Sequence, residues 1–311
     1  MKEGISINGS IVEPGSSATI SLYIGKLPSG SRITVKTHVF CAPEEGPTLL
    51  LLAGLHGDEI NGVEILRRAM AQEMFDELER GNLIVIPILN IYGFINFSRE
   101  VPDGKDVNRS FPGTMSGSLA SRVARILTKR VLPHVDFGVD FHTGGDNRFN
   151  YPQLRYTRKD NYARQLAESF GAPFLVEKGL ISKSLRKIAR EMDIPMIVFE
   201  GGEALRLDGF VIESALRGLR NLLISQQMLS GKARYDDMRR FRKSSWVRAA
   251  EAGIFIWSKR SGHRVEKGEI LGSIFDPAGH VRVGVAATKD GYILGHNNTP
   301  VVHQGDALFH I

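Results

Sequence analysis

Residues 49–62 read LLLLAGLHGDEING, a run of four leucines followed almost at once by a polar cluster. The leucines predict a buried strand, and the cluster consists of His56, Asp58 and Glu59. Apolar residues then recur at helical spacing over residues 62–74. We therefore expect the cluster on a loop between a strand and a helix, at the sheet edge where open α/β proteins bind ligands.

His56 and Glu59 are three positions apart, so their side chains can converge on one point at a helix start. An imidazole and a carboxylate together suit zinc. The pair is weak evidence alone, because the chain has nine histidines and 24% charged residues. The alternative is a solvated helix start, in which Asp58 and Glu59 interact with the positive end of the helix dipole.

Two further apolar segments end in the same way. Residues 135–145 read VDFGVDFHTGG, with His142 before a glycine pair, and residues 195–202 read PMIVFEGG, with Glu200 before another. A sheet would bring the three strand ends together. Two histidines and a glutamate, with a fourth position open to water, are a ligand pattern of catalytic zinc. A buried carboxylate beside such a site, here Glu200, would be a general base.

Four motifs stand in order within residues 45–225: GLHGDE, DVNRSFPG, DFHTGG and FEGGE. Together they resemble the motifs of the succinylglutamate desuccinylase and aspartoacylase family, which is related to the zinc carboxypeptidases. The resemblance implies an α/β fold with a zinc-carboxypeptidase-like mixed sheet flanked by helices, and one zinc ion per chain.

The motif DVNRSFPG lies in a long loop, residues 90–117, and such loops in compact domains are usually functional. A guanidinium can bind a carboxylate through two parallel hydrogen bonds. The resemblance gives that role to Asn108 and Arg109, which would hold a carboxylate of the substrate. Asp106 is expected to orient the loop or a ligand. The same resemblance implies that Arg99 is the arginine that polarises the scissile carbonyl, with a surface charge as the alternative.

The rest of residues 1–235 is expected to complete the catalytic domain. Residues 1–47 predict a β extension, with strands at 18–24 and 33–39. Helical spacing predicts helices at 62–74, 119–131, 160–170, 183–192 and 209–228. Beyond His142, residues 146–160 are rich in arginine and aromatic residues. Arg148, Gln153 and Arg155 could line a pocket there, but a solvated loop is the interpretation that we favour.

The formal net charge of +6 is concentrated in residues 232–248, which hold seven Lys or Arg and two Asp. We interpret this segment as a linker whose basic side chains face water or acidic neighbours. Because the remainder is nearly neutral, we expect no nucleic-acid partner.

Several features favour a cytoplasmic location and argue against a membrane partner. The start, MKEGISING, lacks the layout of a signal peptide. The longest apolar stretch is too short to span a bilayer. Cys41, a single cysteine, excludes an internal disulfide and fits a reducing compartment.

Residues 249–311 predict a small C-terminal β domain with an internal repeat. VEKGEIL at 265–271 aligns with VHQGDAL at 302–308. Two such halves resemble a barrel-sandwich domain of the biotinyl or lipoyl type, which carries a lysine on the hairpin between the halves. That region here, DPAGHVRV at 276–283, has no lysine at its tip, so we expect a lid or an oligomer contact. The histidines of this region are expected to face solvent: His263, His280, His296, His303 and His310.

The sequence thus predicts a zinc-dependent amidohydrolase in which His56, Glu59 and His142 hold the ion and Glu200 is the base. A substrate carboxylate points to N-acyl amino acid deacylation. Two alternatives stay open: a carboxypeptidase acting on short peptides or amino-acid conjugates, and a binding protein that retains zinc without turnover. A homo-oligomer is possible.

Overall fold

A computed structural model describes residues 2–279 and 282–311. The α-helices there are α1 (Ile60–Ala71), α2 (Ile91–Ile95), α3 (Leu119–Arg130), α4 (Asn161–Phe170), α5 (Leu185–Glu191) and α6 (Gly209–Ser225), with 3₁₀ helices at Val107–Arg109 and Leu132–His134. The strands up to residue 203 are β1 (Ile5–Ile7), β2 (Ser10–Val12), β3 (Ser16–Lys26), β4 (Arg32–Cys41), β5 (Glu44–Leu52), β6 (Arg80–Ile86), β7 (Phe137–Gly144), β8 (Arg148–Thr157), β9 (Phe174–Lys178) and β10 (Met196–Glu203). The later strands are β11 (Arg239–Phe241), β12 (Trp246–Arg248), β13 (Gly253–Trp257), β14 (Arg264–Val265), β15 (Ile270–Phe275), β16 (Arg282–Ala286), β17 (Gly291–Tyr292), β18 (Gly295–Asn297), β19 (Val301–Val302) and β20 (Ala307–His310).

Parallel strands in the order β10, β7, β5, β6 form the centre of the main sheet. On one side β4 pairs antiparallel with β6, and β3 pairs with β4, so the predicted N-terminal strands form an edge. On the other side β8 pairs antiparallel with β10. Over the described residues this sheet has 12 strands. The predicted mixed sheet flanked by helices is confirmed.

The four leucines that open the central motif lie in β5 and are fully buried. Leu49 and Leu51 pack in one hydrophobic cluster, together with residues of α1, α4 and α6. Leu50 and Leu52 pack in a second cluster on the opposite face, with residues of α3 and α5. Side chains alternate between the two faces of a strand, so a continuous apolar run marks a strand that is covered on both sides.

The predicted helices all occur, with ends that differ by a few residues. The long loop over residues 90–117 also occurs, although it contains the short α2 and a 3₁₀ turn. The solvated loop expected over residues 146–160 is wrong, because most of that stretch is β8. The strand lacks the usual alternation of apolar and polar residues, because one face of β8 borders a polar cavity instead of an apolar core. Its sequence therefore did not predict a strand.

The C-terminal region is rich in strands, as predicted. β16, β15, β13 and β19 form a four-stranded sheet within the described residues, and their side chains share a hydrophobic cluster with residues of β12 and β20. β18, β20 and β12 instead extend the main sheet beyond β8. The division of the chain at residues 235 and 249 stays a prediction.

Two of the C-terminal histidines correct the sequence interpretation. His296 and His310 are buried, because β18 and β20 lie in the main sheet and not on a free surface. His263 and His303 are exposed, as expected. His280 lies outside the described residues.

The basic segment at 232–248 is more ordered than a linker. It contains β11, which pairs with β9, and β12, which pairs with β20. Acidic neighbours for its side chains occur as expected, since Arg240 pairs with Glu168 and Arg242 with Glu177. No helix in the described ranges is both long enough and apolar enough to cross a membrane.

Candidate active site

The three strand ends that the sequence singled out meet at the carboxyl edge of the central parallel strands. Glu59 bridges two histidines, with Oε1 2.8 Å from Nδ1 of His56 and Oε2 2.7 Å from Nδ1 of His142. All three side chains are buried, and one ligand atom from each lies within 4.8 Å of the others. The group could hold a metal ion.

The alternative of a solvated helix start is wrong for Glu59. This residue precedes α1, yet its side chain makes no capping bond and is only 2% exposed. Two glycines allow this tight path. Gly54 has a φ of +58°, and a Cβ on Gly57 would lie 2.0 Å from the carbonyl carbon of Gly93. The loop is thereby pressed against α2 at a distance that only glycine permits.

Each histidine has a carboxylate on the nitrogen that faces away from Glu59. Oδ2 of Asp140 lies 2.8 Å from Nε2 of His142, and Oδ1 of Asp106 lies 3.3 Å from Nε2 of His56. Such partners fix the tautomer and the orientation of a metal-binding imidazole. The Nδ1 atoms of both histidines face Glu59, so the three ligand groups converge on one point.

The charges of the cluster favour a cation. Burial acts to lower the pKa of His142, but Asp140 and Glu59 outweigh it and raise the pKa well above its ordinary value. Burial acts to lower the pKa of His56 as well, but Glu59 and Asp106 outweigh it and raise this pKa above its ordinary value. Burial acts to raise the pKa of Glu59, but the two histidines hold it well below its ordinary value. A metal ion bound here would displace protons from the imidazoles.

Arg99 reaches the cluster from the long loop. Its Nη1 lies 3.1 Å from Nδ1 of His56 and 3.2 Å from Oε1 of Glu59, while its Nη2 donates to Oδ2 of Asp106 at 2.9 Å. The alternative of a free surface charge is therefore wrong. The action of Arg99 on a carbonyl stays a prediction.

Asn108 and Arg109 border the same cavity. The Asn108 Oδ1 atom accepts a hydrogen bond from the backbone N–H of Leu185 at 2.9 Å, which ties the loop to α5. The Arg109 Nη1 atom donates to the carbonyl of Asn108 at 2.8 Å, and the side chain is exposed. Both side chains are placed to meet a ligand, and their carboxylate-binding role stays a prediction.

Glu200 lies at the end of β10, beside His142 in the register of the parallel strands. It is 8% exposed and borders the cavity. Two side chains of β8 donate to it, Arg155 to Oε1 at 2.6 Å and Asn150 to Oε2 at 2.9 Å. It makes no hydrogen bond to the cluster of His56, Glu59 and His142 among the described contacts.

The cavity is open and about 260 Å³ in volume. Besides Arg99, four arginines line it: Arg109, Arg148, Arg155 and Arg186. Arg155 is paired with Glu200 and Arg148 with Asp146, whereas Arg186 has a buried Nη1 without a hydrogen-bond partner among the described residues. Burial lowers the pKa of Arg186 to about 10, with Arg155 adding to the effect. The guanidinium remains charged at neutral pH.

A comparison with known families settles the relationship of the chain. The profile of the succinylglutamate desuccinylase/aspartoacylase catalytic domain matches residues 45–225, more than half of the sequence. The chain belongs to the succinylglutamate desuccinylase/aspartoacylase family. The named activities of this family are deacylations, so its members are deacylating hydrolases.

Similar proteins extend the match beyond the catalytic region. The N-alpha-acetyl-L-2,4-diaminobutyric acid deacetylase of Halomonas elongata is 26% identical over 281 residues, covering 85% of this chain and 81% of that protein. The product-bound ectoine utilization protein EutE (DoeB) of Ruegeria pomeroyi superposes with a TM-score of 0.87 at 24% identity, covering 99% of this chain and 98% of the other. A succinylglutamate desuccinylase/aspartoacylase of Rhodobacter sphaeroides gives a TM-score of 0.84 at 24% identity, covering 94% of both chains. These two structures establish the shared fold.

Sequence reasoning missed several residues of this family member's cavity. Asp140 had a usable signal, because residues two apart on a strand share a face and it stands two before His142. Asn150 and Trp246 had none, since β8 and β12 reach the cavity only through long-range pairing. Gln153 does not line the cavity, and its amide instead donates to the Leu294 carbonyl at 3.2 Å.

Proposed function

We propose that this protein is a zinc-dependent hydrolase that removes the acyl group from an N-acyl amino acid. The observation that carries the proposal is the buried cluster of His56, Glu59 and His142, which shares one cavity with Glu200. The family relationship supports deacylation, and the arginines that line the cavity support a substrate that carries a carboxylate.

The cluster fits zinc by its chemistry. Two imidazole nitrogens and one carboxylate are a common donor set for catalytic zinc. Asp140 is hydrogen-bonded to the far nitrogen of His142, as outer partners of zinc ligands usually are, and Asp106 lies 3.3 Å from the far nitrogen of His56. When bound, zinc would supply a Lewis acid that activates water and polarises the amide carbonyl.

Glu200 is assigned as the general base. Its carboxylate accepts a proton from the water whose oxygen attacks the carbonyl carbon. It then delivers that proton to the amide nitrogen as the carbon–nitrogen bond breaks, which gives a free amine and a carboxylic acid. The burial of Glu200 at the cavity wall, without a hydrogen bond to the cluster, supports a role in proton transfer and not in metal binding.

Arginine side chains are assigned to the charges of the substrate. Arg99, adjacent to the cluster, would stabilise negative charge that develops on the carbonyl oxygen. Asn108 and Arg109 would hold the substrate carboxylate, because a guanidinium binds a carboxylate through two parallel hydrogen bonds.

A substrate panel tests the proposal. Zinc-loaded protein is incubated with N-acetyl-L-2,4-diaminobutyric acid, N-acetylaspartate, N-succinylglutamate and a set of dipeptides, and free amine is measured. We expect release from at least one N-acyl amino acid and little from the dipeptides. Faster cleavage of the dipeptides would favour a carboxypeptidase. Tight binding without release would favour a binding protein.

A further inference from the structure

Strand β8 holds both carboxylate oxygens of Glu200. Nη1 of Arg155 donates to Oε1 at 2.6 Å, and Nδ2 of Asn150 donates to Oε2 at 2.9 Å. Because an unrestrained terminal carboxylate rotates over a broad range, these two donors fix its plane. The orientation of Glu200 is therefore set by a neighbouring strand.

The register of the sheet explains why Arg155 reaches Glu200. In the antiparallel pair, Arg155 stands opposite Val198 and Gln153 stands opposite Glu200. Residues two apart on a strand share a face, so Arg155 is a diagonal neighbour of Glu200. Long side chains span that diagonal readily. The contact is built into the sheet and does not depend on a mobile loop.

We propose that Arg155 is a positioning residue that holds Glu200 in the orientation required for proton transfer. Each carboxylate oxygen has two lone-pair positions, so one on each oxygen stays available after Arg155 and Asn150 have donated. The ion pair thus orients the Glu200 carboxylate and leaves a lone pair on each of its oxygens able to accept a proton. This inference rests on the proposed function, because it takes Glu200 to be the base.

The location of Arg155 favours a positioning role over a purely structural ion pair. Its side chain is 26% exposed and borders the cavity, so the pair lies where the reaction would occur. Its Nε lies 3.5 Å from Oε1 of Gln153, a weak contact that further restrains the guanidinium. A misplacement of about 1 Å can reduce a rate by roughly 10². Loss of Arg155 should therefore lower kcat more than it raises KM.

The test compares Arg155→Ala, Arg155→Lys and the matched control Arg158→Ala in the zinc-loaded full chain. Arg158 is exposed and stands three residues away on the turn after β8. We expect Arg155→Ala to lower kcat by roughly 10- to 100-fold with little change in KM or zinc content. Arg155→Lys should recover part of the loss, and added guanidinium ion should restore part of the activity of Arg155→Ala. Arg158→Ala should match the wild type.

A double variant separates positioning from other effects. Glu200→Gln removes the group that accepts the proton, so the orientation of this side chain no longer affects proton transfer. In the Glu200→Gln background, Arg155→Ala should therefore cost nothing further in kcat. An equal loss in both backgrounds, or a raised KM with unchanged kcat, would overturn the proposal.

The proposed function can fail separately. If the wild type releases no amine from any N-acyl amino acid, the activity assignment is wrong. Crystal structures of zinc-loaded wild type and Arg155→Ala then decide whether Arg155 positions Glu200. A reoriented carboxylate in the variant would support the proposal, and an unmoved carboxylate would overturn it.

Discussion

The Nδ1 atom of His142 lies 2.7 Å from Oε2 of Glu59, although the two residues are 83 positions apart in the chain. The other oxygen of Glu59 contacts His56 at 2.8 Å. The contact with His142 follows from the pairing of β5 with β7, two parallel strands whose carboxyl ends are adjacent, whereas the contact with His56 is local to the loop after β5. If these three donor groups hold a metal ion, its affinity should depend on each of them.

The first prediction concerns the metal. Zinc-loaded wild type should contain about one zinc per chain, and His142→Ala should lose both the metal and the activity, since only two donors remain. His303→Ala, at an exposed position in the C-terminal region, serves as the control. Metal content is measured by elemental analysis. Full zinc occupancy in His142→Ala would refute the ligand assignment.

The second prediction concerns Asp140, whose carboxylate lies 2.8 Å from Nε2 of His142. Asp140→Asn keeps the shape but removes the charge that orients the imidazole. Changes of this kind typically weaken metal binding by about 10- to 100-fold. Zinc affinity is measured by competition with a chelator, with Asp237→Asn on the exposed surface as the control. Equal affinities in the two variants would mean that Asp140 does not support the site.

The third prediction separates the base from the ligands. Glu200→Gln preserves size but cannot accept a proton, and loss of a general base typically costs about 10² to 10⁴ in rate. Zinc should remain bound, because His56, Glu59 and His142 are unchanged. Turnover and metal content are measured on the same samples, with the exposed Glu251→Gln as the control. Loss of metal together with activity would make Glu200 a ligand or a folding residue.

The part of the site that lies on the central strands could be predicted from the sequence. His56, His142 and Glu200 each follow an apolar run, and parallel strands bring such ends to one edge. The leucine run also predicts β5 as a buried strand, because a strand covered on both faces is apolar throughout. Each of these signals is local to a few residues.

The missing parts depend on pairing between distant segments. β8 borders a polar cavity, so residues such as Asn150 and Arg155 replaced the apolar alternation that would have revealed a strand. β18 and β20 pair with the main sheet instead of staying in the C-terminal unit, which buries His296 and His310. The internal repeat of the C-terminal region does not indicate which of its strands pair with the main sheet.

The fourth prediction concerns the substrate carboxylate. Arg109→Lys keeps the positive charge but loses the planar fork that can bind a carboxylate through two hydrogen bonds. Binding of carboxylate-bearing substrates should weaken, so KM should rise while zinc stays in place. Arg130→Lys, at an exposed position at the end of α3, is the control. If KM and kcat are the same in both variants, Arg109 is not the anchor.

The fifth prediction uses the buried His296, which lies between the rings of Phe149 and Trp257. Burial lowers the pKa of His296 to about 4, with Asn298 opposing and Arg260 reinforcing the shift. In the unfolded chain we expect the ordinary histidine pKa of about 6.5. Between these two values the unfolded state binds the proton more tightly than the folded state does. Stability is therefore complete above pH about 6.5 and falls as the pH drops toward about 4.

A variant isolates this contribution from those of other groups. His296→Gln does not titrate, and its amide oxygen can still accept the hydrogen bond that Ser261 donates to Nδ1 at 2.6 Å. Between pH 7 and pH 5 the wild type should lose about 2 kcal/mol more free energy of unfolding than the variant does. Urea unfolding of both metal-free proteins at the two pH values measures the difference, with the exposed His303→Gln as the control. If the wild type and His296→Gln lose the same free energy, His296 is protonated or solvated in the folded protein, and the docking of β18 against the main sheet is looser than its hydrogen bonds indicate.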